Sequence, residues 1–279
     1  MTVVIFAAAL QAGPAIAADG IDQFVRVARD PGGEPRALEI AIARYGDANG
    51  TIVDLVGAVH VADRDYFKAL DRRFADYDAV LYELVGEPDA MVSGAGASTS
   101  MIGLLQGGMK DALGLSFQLD EIDYRQPNLV HADLTGPEFS ASMASRGESL
   151  AGLMFKAWAA TLADSGNPAG QQGSLLKLLF AQDRQLALKR LFAAQLADQM
   201  RLLDSLSSGQ GSTLITVRNQ RALEELSAQI KRGHDKLAIF YGAGHMPDLA
   251  GRLEAEFGMR HQSTGWLQAW DLRGSGVID

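Results

Sequence analysis

Two histidines and one glutamate hold most of the chemical potential of this sequence. His60 closes Gly57-Ala58-Val59-His60, and His245 closes Gly242-Ala243-Gly244-His245, each where an apolar run gives way to a helical pattern. Glu83 is the one charge in the apolar run 79–85 and stands near its end, 23 residues after His60. A carboxylate beside a low-dielectric core is costly unless it is paired, hydrogen-bonded or bound to a metal. Two imidazoles and a carboxylate form a ligand set suited to Zn, Mn, Co or Fe. A buried Glu–His pair without chemistry is the other reading. The GxxH form alone is weak evidence, since the chain has 30 glycines and five histidines, and Gly258-Met259-Arg260-His261 is a third match. Context separates them. His60 and His245 sit at strand-to-helix junctions, whereas His261 enters a strand and so belongs to the opposite sheet edge. In open α/β sheets ligands bind outside the carboxyl ends of the strands, so His261 reads as structural, and His234, in a Lys-Arg-Gly-His-Asp turn, as a solvated surface residue.

The elements that must position these groups follow from periodicity. Leu38, Ile40 and Ile42 alternate with Glu39, Ala41 and Ala43 as in a half-buried strand, and the turn residues 46–50 lead into a second strand at 51–59. Residues 63–76 place Tyr66, Phe67, Leu70 and Phe74 on one helical face, with Asp63 placed to cap it. A near-continuous apolar strand over 79–85 completes a βαβ unit, right-handed and parallel. Gly/Ser/Ala-rich residues 88–108 read as a loop with a short helix, 128–131 as a short strand, 136–163 as two or three helices, and 164–173 as a polar break. Ser174 is placed to cap a long amphipathic helix with Leu175, Leu179, Leu186, Leu191, Leu196, Met200 and Leu203 on overlapping faces. A helix over 212–230 carries Arg218, Asn219 and Arg221, followed by a buried strand at 237–241, a helix with Pro247 in its first turn and Gly258 at its end, and a closing strand at 262–272. The fold class is α/β: a central, mostly parallel or mixed sheet flanked by helices, with a helical insertion at about 90–210 between the two GxxH units. An independent helical domain is the alternative reading of that insertion.

Bulk properties set limits. A formal charge of -9, with no run of more than two basic residues, argues against a nucleic-acid surface. Cysteine is absent, which removes disulfides, thiolate nucleophiles and cysteine metal sites. Residues 3–10 are apolar and are followed by Pro14 and by Ala15-Ile16-Ala17, a small-x-small cleavage pattern. This run is shorter than the roughly 20 apolar residues of a membrane span. The expectation is a signal peptide at 1–18 and a single domain at 19–279, periplasmic or secreted, with no stable membrane span after cleavage.

Four short pieces in order carry a family resemblance: Gly57-Ala58-Val59-His60-Val61, Tyr82-Glu83-Leu84, Val217-Arg218-Asn219 and Phe240-Tyr241-Gly242-Ala243-Gly244-His245. With them the chain resembles the TraB/GumN/Tiki-like superfamily over residues 51–257, and more distantly the erythromycin-esterase and ChaN-like proteins. The resemblance implies a metal-dependent hydrolase of the peptidase kind, acting on a peptide or small-molecule substrate with a divalent Mn, Co or Zn ion. It implies His60, His245 and Glu83 as metal ligands, with Glu83 alternatively the general base and Arg218 the stabiliser of negative charge. His131 and Asp133 lie where relatives carry a strand ending in an acidic residue, and read as ligands or as groups orienting His60. One departure is Asp248, where relatives often have glycine. A non-catalytic protein that binds a metal or haem-like ligand through the same residues is the alternative.

Overall fold

The computed structural model describes residues 20–86, 113–148, 183–207 and 213–274. The expected signal segment, the loops at 88–108 and 164–173, and Ser174 with Leu175 and Leu179 lie outside them.

The chain is α/β, built on one mixed seven-stranded sheet. The strands are β1 (Val25–Arg29), β2 (Pro35–Gly46), β3 (Ile52–Ala58), β5 (Ala79–Tyr82), β7 (Leu129–His131), β8 (Lys236–Gly242) and β9 (Arg260–Asp271), while β4 (Val61–Ala62) and β6 (Ser116–Phe117) form a separate two-stranded ladder. The helices are α1 (Arg64–Phe74), α2 (Gln118–Glu121), α3 (Gly136–Ser145), α4 (Arg184–Ser207), α5 (Arg218–Lys231) and α6 (Met246–Phe257). Strands β1, β2 and β9 join the sheet antiparallel, with β9 running along β2 from Ala37↔Asp271 to Gly46↔Arg260. The other half is parallel in the order β3-β8-β5-β7. The crossover through α1 therefore skips one slot between β3 and β5, and β8 fills it.

Local sequence accounts for these elements. The turn after β2 uses Gly50 at φ +94°, with Asp47 N–H donating to Thr51 O and the Asp47 carboxylate accepting from Asn49 and Thr51 N–H. Helix α1 buries Tyr66, Phe67, Leu70 and Phe74, the predicted stripe. Thr135 and Glu138 close a reciprocal capping box on α3, and α6 carries proline in its first turn and ends on Gly258 in the left-handed region.

Four expectations change. Strand β2 is not half-buried: Ala41 and Ala43, which alternate with Leu38, Ile40 and Ile42, are as buried as they are, so both faces of the strand are covered. Asp63 occupies the N-cap position of α1, but its side chain does not cap; it binds Lys189 Nζ at 2.6 Å and accepts from Asp271 N–H at 2.5 Å. The stretch at 90–210 does not lie wholly over the sheet: its expected short strand at 128–131 is present as β7 and joins the main sheet beside β5. In α4 the residues packed on the core are Leu188, Phe192, Ala193 and Leu196, not Leu186 or Leu191. Among the described residues no helix is long and apolar enough to cross a membrane.

Candidate functional site

Each of the four parallel strands delivers one polar residue just past its carboxyl end. Strand β3 ends at Ala58 and leads to His60, β8 ends at Gly242 and leads to His245, β5 ends at Tyr82 and leads to Glu83, and β7 ends at His131 and leads to Asp133. The parallel register places Ala58 opposite Gly242, Tyr82 opposite Phe240 and Tyr82 opposite His131, so these ends share one edge of the sheet. Arg218 enters from the first residue of α5, directly after a π-helical turn at Thr213–Val217 whose Leu214 carbonyl accepts from its Nη1 at 3.4 Å. Such turns recur at functional sites.

Arg218 is the hub. Its Nε and Nη2 donate to both oxygens of Asp133 at 2.9 and 2.6 Å, a bidentate grip on a fully buried carboxylate. Nη2 also donates to Glu83 Oε1 at 2.5 Å, and Nη1 lies 3.5 Å from His245 Nε2. Glu83 Oε2 accepts the backbone N–H of Gly242 at 2.5 Å. A side chain at 242 would place its Cβ 3.1 Å from that oxygen, so glycine is what lets the carboxylate reach the strand backbone. Burial by itself raises the Glu83 pKa, but the charges of His245, Arg218 and His60 and the Gly242 N–H outweigh it and hold the carboxyl down at about 2. Glu83 is thus a permanent anion and a weak base.

His245 is almost wholly buried, with its ring edge-on to Tyr241. Burial pushes its pKa down to about 4 against the upward pull of Glu83, so the ring is neutral at pH 7. Its Nδ1 lies 2.6 Å from Asn219 Oδ1. Asn219 Nδ2 donates to Asp248 Oδ2 at 2.7 Å and to the His245 carbonyl at 3.2 Å, which turns the amide oxygen toward the imidazole. Nδ1 therefore carries the hydrogen, and Nε2 keeps its lone pair 3.7 Å from Glu83 Oε1.

His60 is exposed, and its partner is Gln118. His60 Nδ1 lies 3.2 Å from Gln118 Oε1 while Gln118 Nε2 donates to Tyr124 Oη at 2.8 Å, an arrangement that suits a hydrogen on Nδ1. The loop around His60 is tied down by Gln118 N–H on the His60 carbonyl, Tyr66 Oη on Gly57 O and Trp270 Nε1 on Val61 O.

The structure thus brings Glu83, Arg218, Asp133 and His245 into one hydrogen-bonded cluster, with His60 near enough to act on Glu83 electrostatically. Asp133 orients Arg218, and it is Gln118 that orients His60; His131 packs on Tyr82 and its Nε2 donates to Leu84 O at 2.7 Å. His261 is exposed, paired with Tyr45 in the β2–β9 ladder near the start of β3, at the opposite sheet edge. His234 is half-buried, its Nδ1 enclosed without a hydrogen-bond partner. Among the described residues no three His, Asp or Glu side chains stand ready-closed as a metal cage, since the Arg218 guanidinium takes the Oε1 side of Glu83. Sequence reasoning missed Gln118 and gave Asn219 no role. Comparison with family models, curated proteins and solved structures yields no match.

Proposed function

We propose that the protein is an exported metal-dependent hydrolase of the peptidase kind, resembling the TraB/GumN proteins, with its site at the carboxyl edge of the parallel strands. The observation that carries this reading is the shared placement of the two GxxH histidines: each follows the carboxyl end of a parallel strand and has Nδ1 engaged by a side-chain carboxamide, so Nε2 is the nitrogen each has to offer a ligand. The charge balance supports it. Arg218 faces two carboxylates, Glu83 and Asp133, so this buried cluster of one guanidinium and two carboxylates carries one negative charge in excess. Two imidazole nitrogens beside a surplus anion suit a divalent Mn, Co or Zn ion held by His60, His245 and Glu83. A bound divalent ion supplies Lewis acidity, polarising a scissile carbonyl and making water a nucleophile near neutral pH.

The chain's own residues divide the remaining work. Asp133 fixes Arg218, Arg218 keeps Glu83 ionised, and the guanidinium beside His245 supplies a fixed positive charge where an oxyanion develops. A carboxyl held at about 2 favours the ligand role for Glu83 over that of general base.

The test is metal analysis of protein purified without chelator, followed by titration of the stripped protein with Mn, Co and Zn and by mass-spectrometric scoring of a peptide mixture. One ion per chain and peptide cleavage are expected, with both lost in folded His60→Ala and His245→Ala variants. Full-stoichiometry binding in those variants overturns the ligand assignment. Binding without turnover reassigns the site to sequestration.

A further inference from the structure

The two GxxH histidines are held by parallel relays that differ in their last member. Both relays run from imidazole Nδ1 to a carboxamide oxygen and from that carboxamide's NH2 to an anchor. For His245 the anchors of Asn219 are the Asp248 carboxylate and the His245 carbonyl, at 2.7 and 3.2 Å. Both anchors can only accept a hydrogen bond. Turning the Asn219 amide over would set its oxygen against two acceptors, so the Nδ1–H form of His245 is enforced. For His60 the anchor of Gln118 is the Tyr124 hydroxyl, at 2.8 Å. A hydroxyl can donate or accept. If the Tyr124 hydroxyl donates instead, the Gln118 amide inverts, its NH2 faces His60 Nδ1, and the ring hydrogen moves to Nε2 with every hydrogen bond kept.

We infer that Asp248, acting through Asn219, is a positioning residue that locks His245 in one tautomer, whereas the Tyr124–Gln118 relay leaves His60 able to present either ring nitrogen. Asp248 is itself held in place by Arg252 Nε at 3.0 Å, from one turn further along α6. The inference rests on the metal-site reading only for its consequence: His245 is the invariant donor of the site, and His60 the one whose free ring nitrogen can be changed by turning the Gln118 amide and the Tyr124 hydroxyl. The lock itself is a property of the metal-free chain.

The test is long-range 15N–1H correlation NMR of histidine-labelled full-length protein, metal-free and at neutral pH, where the nitrogen shifts distinguish N–H from lone-pair nitrogen. Wild-type His245 should show only the Nδ1–H form, and His60 a mixture. Asp248→Ala leaves only the longer contacts, Asn219 Nδ2 to the His245 carbonyl at 3.2 Å and Arg218 Nη1 to His245 Nε2 at 3.5 Å, to oppose the other form, and should admit a second His245 tautomer and lower the affinity for Mn or Zn about 10–100-fold, the range for losing an outer-shell partner. Asp248→Asn keeps an acceptor oxygen for Asn219 and should restore the single form. Arg252→Ala, which removes the Asp248–Arg252 pair together with the contacts of Arg252 to Gln220 and Glu256 but leaves the Asn219–Asp248 bond, should leave it intact. A single unchanged His245 tautomer in Asp248→Ala overturns the lock, as does a His60 signal as uniform as that of His245. If wild type shows the tautomer pattern but takes up no divalent ion, the lock stands and the hydrolase reading falls.

Discussion

The sheet carries two buried arginine–carboxylate networks, and they do opposite things with their charges. In the amino-terminal half of β3, Asp54 is fully buried and faces Arg44 directly across the β2–β3 ladder. Arg44 grips both its oxygens at 2.8 and 2.9 Å, Tyr77 Oη donates to one at 2.6 Å, and Arg73 stands 3.7 Å away. One carboxylate meets two guanidiniums and a phenol, and both its oxygens are engaged. Burial alone would raise the Asp54 pKa, but those hydrogen bonds hold it below the ordinary range. At the carboxyl edge the ratio reverses: one guanidinium meets two carboxylates, and two imidazoles beside them turn Nε2 away from their carboxamide partners. A buried charge in itself marks neither structure nor function. What separates the two regions is whether donor and acceptor capacity is left over, and whether it faces the edge where ligands enter.

Arg218→Ala should sharpen this contrast most. It is expected to lower turnover on the order of 10²-fold or more, as for loss of one oxyanion donor, with the metal still bound; peptide-hydrolysis kinetics against metal content checks it. Asp54→Ala should do the reverse, costing about 3 kcal/mol in urea unfolding and leaving kcat per folded molecule unchanged. That is the low end for a broken buried pair, because Arg44 is 34 % exposed and stays partly solvated. Equal effects of the two variants on kcat would erase the distinction.

Acid should separate the regions as well. His245 takes up its proton at about 4 when folded and near 6.5 when unfolded, so from pH 6.5 down to 4 the unfolded chain binds more protons and stability falls as pH falls. The total is on the order of 3 kcal/mol for a shift of this size. Glu83, at about 2 against 4.5, extends the loss from pH 4.5 toward 2. Asp54, lowered from 3.8, adds nothing until the pH drops below that value. Urea midpoints measured from pH 7 to 4 should fall in wild type and flatten in His245→Gln. The smallest effect is expected from Gly242→Ala, about 1–2 kcal/mol from crowding of the Glu83 carboxylate, with a matching loss of metal affinity read by calorimetry.

Much of this was legible in the chain. The helical stripe of α1, the hairpin of β2 and β3 and the strand-end positions of His60, Glu83 and His245 all follow from period and punctuation. The rule that marks Glu83, a lone charge in an apolar strand, marks Asp54 equally, and only position along the strand tells them apart. Gln118 carried no signal, since it is a polar residue 58 positions from His60 in a stretch without strong periodicity. Asp63 obeyed the capping pattern in position but not in bonding, because Lys189 and the Asp271 N–H, remote in sequence, compete for its oxygens. Contacts made across such separations are what local pattern cannot supply.

The slot that β8 fills also dictates an order of assembly. Strands β3 and β5 are made early, yet neither can complete its parallel pairing until residues 236–242 arrive; Val80 meets Ala238 across 158 positions of chain. Closing loops of that length makes parallel pairing slow, so a chain emerging from the ribosome holds two half-made parallel edges open until nearly its last strand. The same late insertion delivers Gly242 and His245 to Glu83. Ring, carboxylate and sheet therefore mature in one event, and a folding intermediate that lacks β8 has neither a finished core nor a finished site.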